Sequence, residues 1–111
     1  MKYLFSVFWK DIRIGLLFSR EQHYIFMYDQ QGLQRTSEMG FDKLIGFPDT
    51  NGIYISRRLF PIFDSRVMSS SRSNISSAQA KINFLIETKG KLVTDNISIR
   101  YEEKENVKKR L

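Results

Sequence analysis

The residue types that usually carry enzymatic chemistry are scarce in this chain. It has no cysteine and a single histidine, His23, which excludes cysteine nucleophiles, thiolate metal sites and any site built on two histidines. Neither a Walker-type glycine loop nor a nucleophile elbow occurs. The carboxylates Asp42 and Asp49 have no spacing that indicates shared acid–base work, and Asp95 fits a turn cap. The sequence therefore predicts a protein that is not an enzyme and binds no metal or cofactor.

Arginine and aromatic residues in the middle of the chain are the best candidates for binding. Four arginines are interleaved with two phenylalanines, in the order Arg57, Arg58, Phe60, Phe63, Arg66 and Arg72. Aromatic rings beside arginine suit single-stranded nucleic acid, and the same residue types are typical anchors of protein interfaces. The structural alternative places Phe63 in the core and the arginines on a solvated helix face. Composition does not separate these interpretations.

Length and charge indicate one small domain with a positive surface. The 111 residues, 41% of them hydrophobic, are enough for one packed core. Residues 102–111 contain four basic and three acidic side chains, a net of +1, so +5 of the formal +6 belongs to residues 1–101. We therefore predict a single domain over residues 1–101 and a charged, frayed tail over 102–111. The positive charge suits nucleic acid, an acidic protein face or simple solubility.

The N-terminal apolar run does not indicate export or membrane insertion. Tyr3–Trp9 has only seven residues and no small-residue cleavage site follows, whereas a membrane-spanning helix needs about 20 apolar residues. The absence of cysteine fits a reducing compartment. We predict a cytoplasmic protein with no membrane partner.

Periodicity predicts an α+β fold, with a small antiparallel sheet of four to five strands covered by two short helices. Alternating apolar residues predict strands over 3–9, 12–18, 24–28 and 91–101, and 44–47 is a further candidate. In the second strand, alternation places four residues on one face: Ile12, Ile14, Leu16 and Phe18. A spacing of four residues predicts a helix that begins near Leu59, with Ile55, Leu59, Phe63 and Val67 on one side. A second helix follows the capping-box pattern at Ser76–Gln79, and residues 29–40 and 68–74 are expected to be turns and loops.

Five segments together resemble the N-terminal subdomain of HipA-like serine/threonine kinases. They are IGLL at 14–17, YIFMYD at 24–29, GFPD at 46–49, LFPIFDSRV at 59–67 and INFLIETKGKLVTDNISI at 82–99. The order and spacing match the family over about residues 3–100. The fourth segment is similar to the family's L-F-P-F-F-x-N-R stretch, with Phe63 and Arg66 on its second aromatic and its arginine. The last one departs from the family pattern because Lys89 replaces a glycine.

The resemblance implies an antitoxin and no catalysis. The ATP-binding loop, the phosphorylated serine and the catalytic aspartates of HipA-like kinases lie beyond the matching part. The chain is thus similar to HipS-like antitoxins, which are stand-alone versions of this subdomain in three-gene HipBST systems. This implies that it binds and neutralises a HipT-like kinase, alongside a HipB-like helix-turn-helix DNA-binding protein. The alternatives are a small basic nucleic-acid-binding module, with direct DNA contact, and a non-inhibitory regulatory subunit of the kinase.

Partner-binding residues are expected among aromatics close to loops, with arginines as polar partners. The candidates are Phe47, Tyr54, Arg57, Arg58, Phe60, Phe63 and Arg66. Since Phe63 lies on the helical stripe, we expect Phe63 to face inward and Phe60 to be available to a partner. Trp9 is expected in the core.

Overall fold

The part of the chain that the structure describes folds into one antiparallel sheet of five strands and three helices, in agreement with the predicted α+β class. The computed structural model describes residues 2–21, 23–70, 78–88 and 96–104. Its elements, in chain order, are β1 (Lys2–Trp9), β2 (Ile12–Arg20), β3 (His23–Tyr28), α1 (Gln30–Ser37), β4 (Ile53–Ser56), α2 (Pro61–Ser70), α3 (Ala78–Thr88) and β5 (Ile97–Lys104). The strands lie in the order β4-β3-β2-β1-β5. None of the helices in the described residues has the length and apolar run needed to cross a membrane.

The core lies on one face of this sheet, around Phe26. Its ring stacks on Phe47 with centroids 4.3 Å apart and also contacts Phe63 of α2, at 5.8 Å. Helix α3 adds Ile82 and Leu85, both buried. Phe26, Phe63 and Leu85 are fully excluded from solvent, so α2 and α3 supply the cover that the apolar sheet face needs.

A bulge in β2 changes which of its residues face the core. The pairing of β1 with β2 runs through Val7 opposite Gly15 and then shifts, so that Phe8 lies opposite Arg13. Directly paired residues share a face, and Leu17 pairs with the buried Phe5. The prediction that Ile12, Ile14, Leu16 and Phe18 share one face is therefore wrong, because the extra residue puts Leu16 and Phe18 on the opposite face.

Helix α1 forms where turns and polar loop were predicted. Its composition is poor for a helix, but Asp29 caps the first turn by accepting a hydrogen bond from Gly32 N–H, 3.1 Å from Oδ1. Leu33 and Thr36 are buried, so tertiary packing stabilises this short helix. Residues 44–47 form a turn and not a strand. The Tyr28 hydroxyl holds this turn by accepting from Leu44 N–H at 2.9 Å and donating to the carbonyl of Phe47 at 2.7 Å.

The remaining boundaries differ modestly from the prediction. Helix α2 begins at Pro61, close to the expected Leu59, but continues to Ser70, so residues 68–70 are helical. Ile55 belongs to β4 and not to the helical stripe. Strand β5 extends to Lys104, so the first three residues assigned to the tail are part of the sheet. Several predicted features lie outside the described residues: Arg72, the capping serine Ser76, Lys89, Asp95 and residues 105–111.

Candidate protein-docking surface

The three phenylalanines predicted to contact a partner lie in the core. Phe47, Phe60 and Phe63 are 2%, 8% and 0% exposed. The inward position of Phe63 is confirmed, whereas the expectation that Phe60 is available is wrong. The Phe60 ring packs edge-on against Phe47, with centroids 5.1 Å apart, and against Phe63, at 6.3 Å. Its carbonyl also accepts from Asp64 N–H at 2.8 Å, which holds the residue at the start of α2.

The other predicted binding residues have different surroundings. Tyr54 is half-buried, and its hydroxyl accepts from Asp49 N–H at 2.7 Å, which closes the 49–54 turn. Arg57 and Arg58 are exposed immediately after β4. The backbone of Arg66 lies in α2, and its side chain lies outside the described part of the structure. Trp9 is partly buried against the core and stacks on Phe41 at 5.2 Å.

The sheet face opposite the core is also apolar. Because paired residues share a face, the register defines rows of side chains across the strands. One row consists of Ile53, Met27, Leu16 and Ser6, and the next consists of Ile55, Ile25, Phe18 and Leu4. Phe8 lies beyond Ser6 on the same side, where the Arg100 guanidinium covers its ring at 3.9 Å. We call the eight hydrophobic residues of this side the outer face: Leu4, Phe8, Leu16, Phe18, Ile25, Met27, Ile53 and Ile55.

Exposure of the outer face is greatest at the edge strand β4. Ile53 and Ile55 are 62% and 65% exposed, whereas the six outer-face residues on β1, β2 and β3 are half-buried. An edge strand has a neighbour on one side only, so fewer side chains shield it. The sequence contained a signal for this surface, since Ile25 and Met27 alternate with the core residues of β3. Strands that are apolar on both faces are typical of sheets covered on both sides.

Basic side chains lie along one end of the outer face. Arg20 and His23 form the next pair beyond Phe18 and Ile25, about 7 Å away along the strands. Arg57 and Arg58 follow Ser56, which pairs with Tyr24, and so lie at the same end. We call these four residues the basic border: Arg20, His23, Arg57 and Arg58. Within the described residues, Arg57 and Arg58 have no ion-pair partner.

Two arginines at the opposite end of the outer face form ion pairs within the chain. Arg13 Nε lies 3.0 Å from Asp29 Oδ2, and an Arg100 guanidinium nitrogen lies 3.4 Å from Asp11 Oδ1. The two ends of the outer face therefore differ in how their guanidinium groups are partnered. Within the described residues, those of Arg57 and Arg58 have no ion-pair partner, whereas those of Arg13 and Arg100 are paired.

The titratable groups whose pKa is perturbed have structural surroundings. Burial raises the pKa of Tyr24 and of Tyr28, which keeps both phenols neutral at pH 7. Burial raises the pKa of Asp29, but the Gly32 N–H and the Arg13 guanidinium together lower it by more. The net shift of this pKa is therefore downward. Among the described residues, no group of three or more acidic or histidine side chains is placed to hold a metal ion.

Comparison with known proteins assigns no family to the chain. No family model matches it, and neither the curated proteins nor the solved structures contain a match. The resemblance to HipA-like kinases therefore rests on the sequence segments alone.

Proposed function

We propose that this protein is a non-catalytic, cytoplasmic antitoxin that binds a HipT-like serine/threonine kinase of the HipA family by direct protein contact and neutralises it. The observation that carries the docking part of the proposal is the apolar outer face. The identity of the partner rests on the order and spacing of the five sequence segments. A HipB-like DNA-binding protein would join the same complex.

The size of the outer face supports a binding role. It spans four adjacent strands, a width of about 14 Å at the usual strand spacing. Contiguous apolar patches on small monomeric proteins are uncommon and often mark protein interaction sites. Ile53 and Ile55 offer the largest exposed area, so we expect them to contribute most when a partner covers the face.

Neutralisation of a kinase requires no chemistry from the smaller protein. Phosphoryl transfer depends on the nucleotide and catalytic groups closing into one geometry. A five-stranded sheet is a rigid surface, and a rigid domain fixed to the kinase can hold its lobes apart or its loops open. This account needs direct contact, and it needs the outer face to be covered in the complex.

Co-purification with a HipT-like kinase tests the proposal, together with growth rescue in cells that express the kinase. The informative variant is the double substitution Ile53→Glu and Ile55→Glu. Its matched control is Ile45→Glu, since Ile45 is 87% exposed in the 44–47 turn and lies off the outer face. We expect the double variant to weaken the complex by roughly 30-fold or more, a hot-spot cost of about 2 kcal/mol, and to abolish rescue. The control should behave as wild type.

Each other outcome changes a different part of the proposal. A stable complex without growth rescue would identify a non-inhibitory regulatory subunit. A complex that the Ile53 and Ile55 substitutions leave intact would show that docking uses another surface. Absence of a complex would reject the kinase as partner.

Nucleic-acid binding is the second candidate, and the basic border favours it. The buried rings of Phe60 and Phe63 argue against the stacking originally expected beside the arginines. Titration of a single-stranded and a duplex oligonucleotide at several salt concentrations separates the candidates. Tight binding that falls steeply as salt rises would favour this function.

A further inference from the structure

The charge asymmetry of the outer face restricts the kind of surface that can dock on it. At one end, Asp29 and Asp11 already neutralise Arg13 and Arg100. At the other end, the exposed guanidinium groups of Arg57 and Arg58 have no carboxylate partner within the described residues. A partner that covers the apolar centre would bring its own groups against this border.

We infer that the docking surface of the partner is apolar at its centre and carries carboxylate side chains along the one side that meets the basic border. The inference rests on the proposed function, because it describes the face of the kinase that this chain would cover. Unlike charges placed across an interface rim fix the orientation of the two proteins, and like charges there are costly. The basic border would thus favour one of the two opposite orientations in which a flat apolar face can dock on a partner.

A second copy of this chain satisfies the same requirement less well than an acidic partner does. Two-fold packing of one outer face on another would have to place acidic groups opposite Arg57 and Arg58. Asp11 and Asp29, at the far end of the face, are already engaged by arginines of their own chain. Each copy also carries a formal charge of +6, which opposes self-association. The charges therefore favour a different, acidic partner.

The apolar and basic parts of the surface should act on different rate constants. Buried apolar contacts chiefly set how slowly a complex dissociates, whereas charges at an interface rim chiefly set how fast it forms and how strongly salt slows formation. Exposed charges act over about 10 Å at 0.1 M salt, so the basic border can attract an acidic surface before contact.

The experiment measures association and dissociation rates of this chain with the HipT-like kinase of the proposed function at low and high salt. The informative variant is the double reversal Arg57→Glu and Arg58→Glu. The control is the double reversal Arg35→Glu and Lys43→Glu. Both residues are exposed; Arg35 lies in α1 and Lys43 follows this helix. Helix α1 packs against β2 near Arg13. Both variants change the net charge equally, so a difference between them reports the position of the charge.

We expect the Arg57 and Arg58 reversal to slow association at least about tenfold at low salt, and the control to slow it much less. High salt should remove most of the difference. Equal slowing by both variants would overturn the inference, because overall charge would then explain the attraction. An unchanged association rate in both variants would overturn the inference as well. In either case, a wild-type complex that gives growth rescue would leave the proposed function standing.

Further outcomes identify other occupants of the outer face. A concentration-dependent dimer of this chain alone, abolished by Ile55→Glu, would show that a second copy covers the face and would overturn the inference. Binding to vesicles of anionic lipid that depends on Arg57 and Arg58 would overturn it in favour of a membrane surface. Failure of the wild-type chain to bind the kinase would remove the proposed function and, with it, this inference.

Discussion

Replacing Gly32 by alanine tests how α1 packs on the sheet. Gly32 lies inside α1, where an alanine normally stabilises a helix by about 1 kcal/mol. Here a Cβ atom would overlap the carbonyl oxygen of Arg13 and lie 2.8 Å from its carbonyl carbon and 3.4 Å from Ile14 Cα. The local and tertiary effects of this substitution therefore have opposite signs.

The magnitude follows from what must move. The obstructing atoms belong to the backbone of β2, an interior strand, so they cannot rotate away as a side chain can. Overpacking of this kind costs up to about 3 kcal/mol. Displacing α1 also strains the 2.8 Å hydrogen bond from Asp29 N–H to the Ile14 carbonyl, worth about 1 kcal/mol, which offsets the gain in helix propensity. We expect Gly32→Ala to lower the free energy of unfolding by about 3 kcal/mol.

Urea unfolding followed by circular dichroism measures this difference, with thermal unfolding as a second observable. For a domain of about 100 residues, the midpoint should fall by about 12 °C or more. Gln34→Ala is the control, because Gln34 is exposed in the same helix and its substitution should change stability by less than about 0.5 kcal/mol. A Gly32→Ala protein as stable as wild type, or more stable, would refute the packing of α1 described above.

Three further substitutions test other parts of the fold. Tyr28→Phe removes the buried hydroxyl that makes two backbone hydrogen bonds to the 44–47 turn, and should cost about 2 kcal/mol in urea unfolding; a cost near zero would contradict its role in holding that turn. The lowered pKa of Asp29 implies stability that is fully present above the ordinary value of 3.8 and is lost as pH falls through the lower folded pKa. Asp29→Asn should flatten the plot of unfolding free energy against pH in this acidic range. Parallel plots for the variant and the wild type would contradict the stabilising role of the Asp29 carboxylate. Phe60→Ala should destabilise the fold by about 3–5 kcal/mol, so loss of kinase binding in this variant would reflect unfolding; a variant of wild-type stability would contradict the core position of its ring.

Much of the fold could be predicted from local patterns, because those patterns reflect local geometry. Alternating side chains identify β1, β2 and β3, since successive residues of a strand point to opposite faces. Pro61 indicates the start of α2, since proline is tolerated only in the first turn. Helix α1 was missed because its residues favour turns, and its stability comes from the Asp29 cap and from contacts with β2.

The candidate site was harder to predict, because burial depends on residues distant in sequence. Phe60 and Phe63 have similar local surroundings, and both rings are buried against Phe47, which is distant from them in sequence and stacks on Phe26 of the sheet. The residues of the outer face could not be predicted from the alternation of apolar side chains alone, because the bulge between β1 and β2 places Leu16 and Phe18 on the side away from the core.

By itself, the sequence determined the α+β class, the first three strands, a helical start close to Leu59 and the scarcity of groups suited to catalysis. These features depend on residue type and on spacing along the chain. Only the tertiary structure decided that the three predicted phenylalanine anchors are core residues and that Ile53 and Ile55 are exposed beside the basic border. Which side of a sheet is covered, and which charges remain unpaired, depends on contacts between strands and helices that lie far apart in the chain.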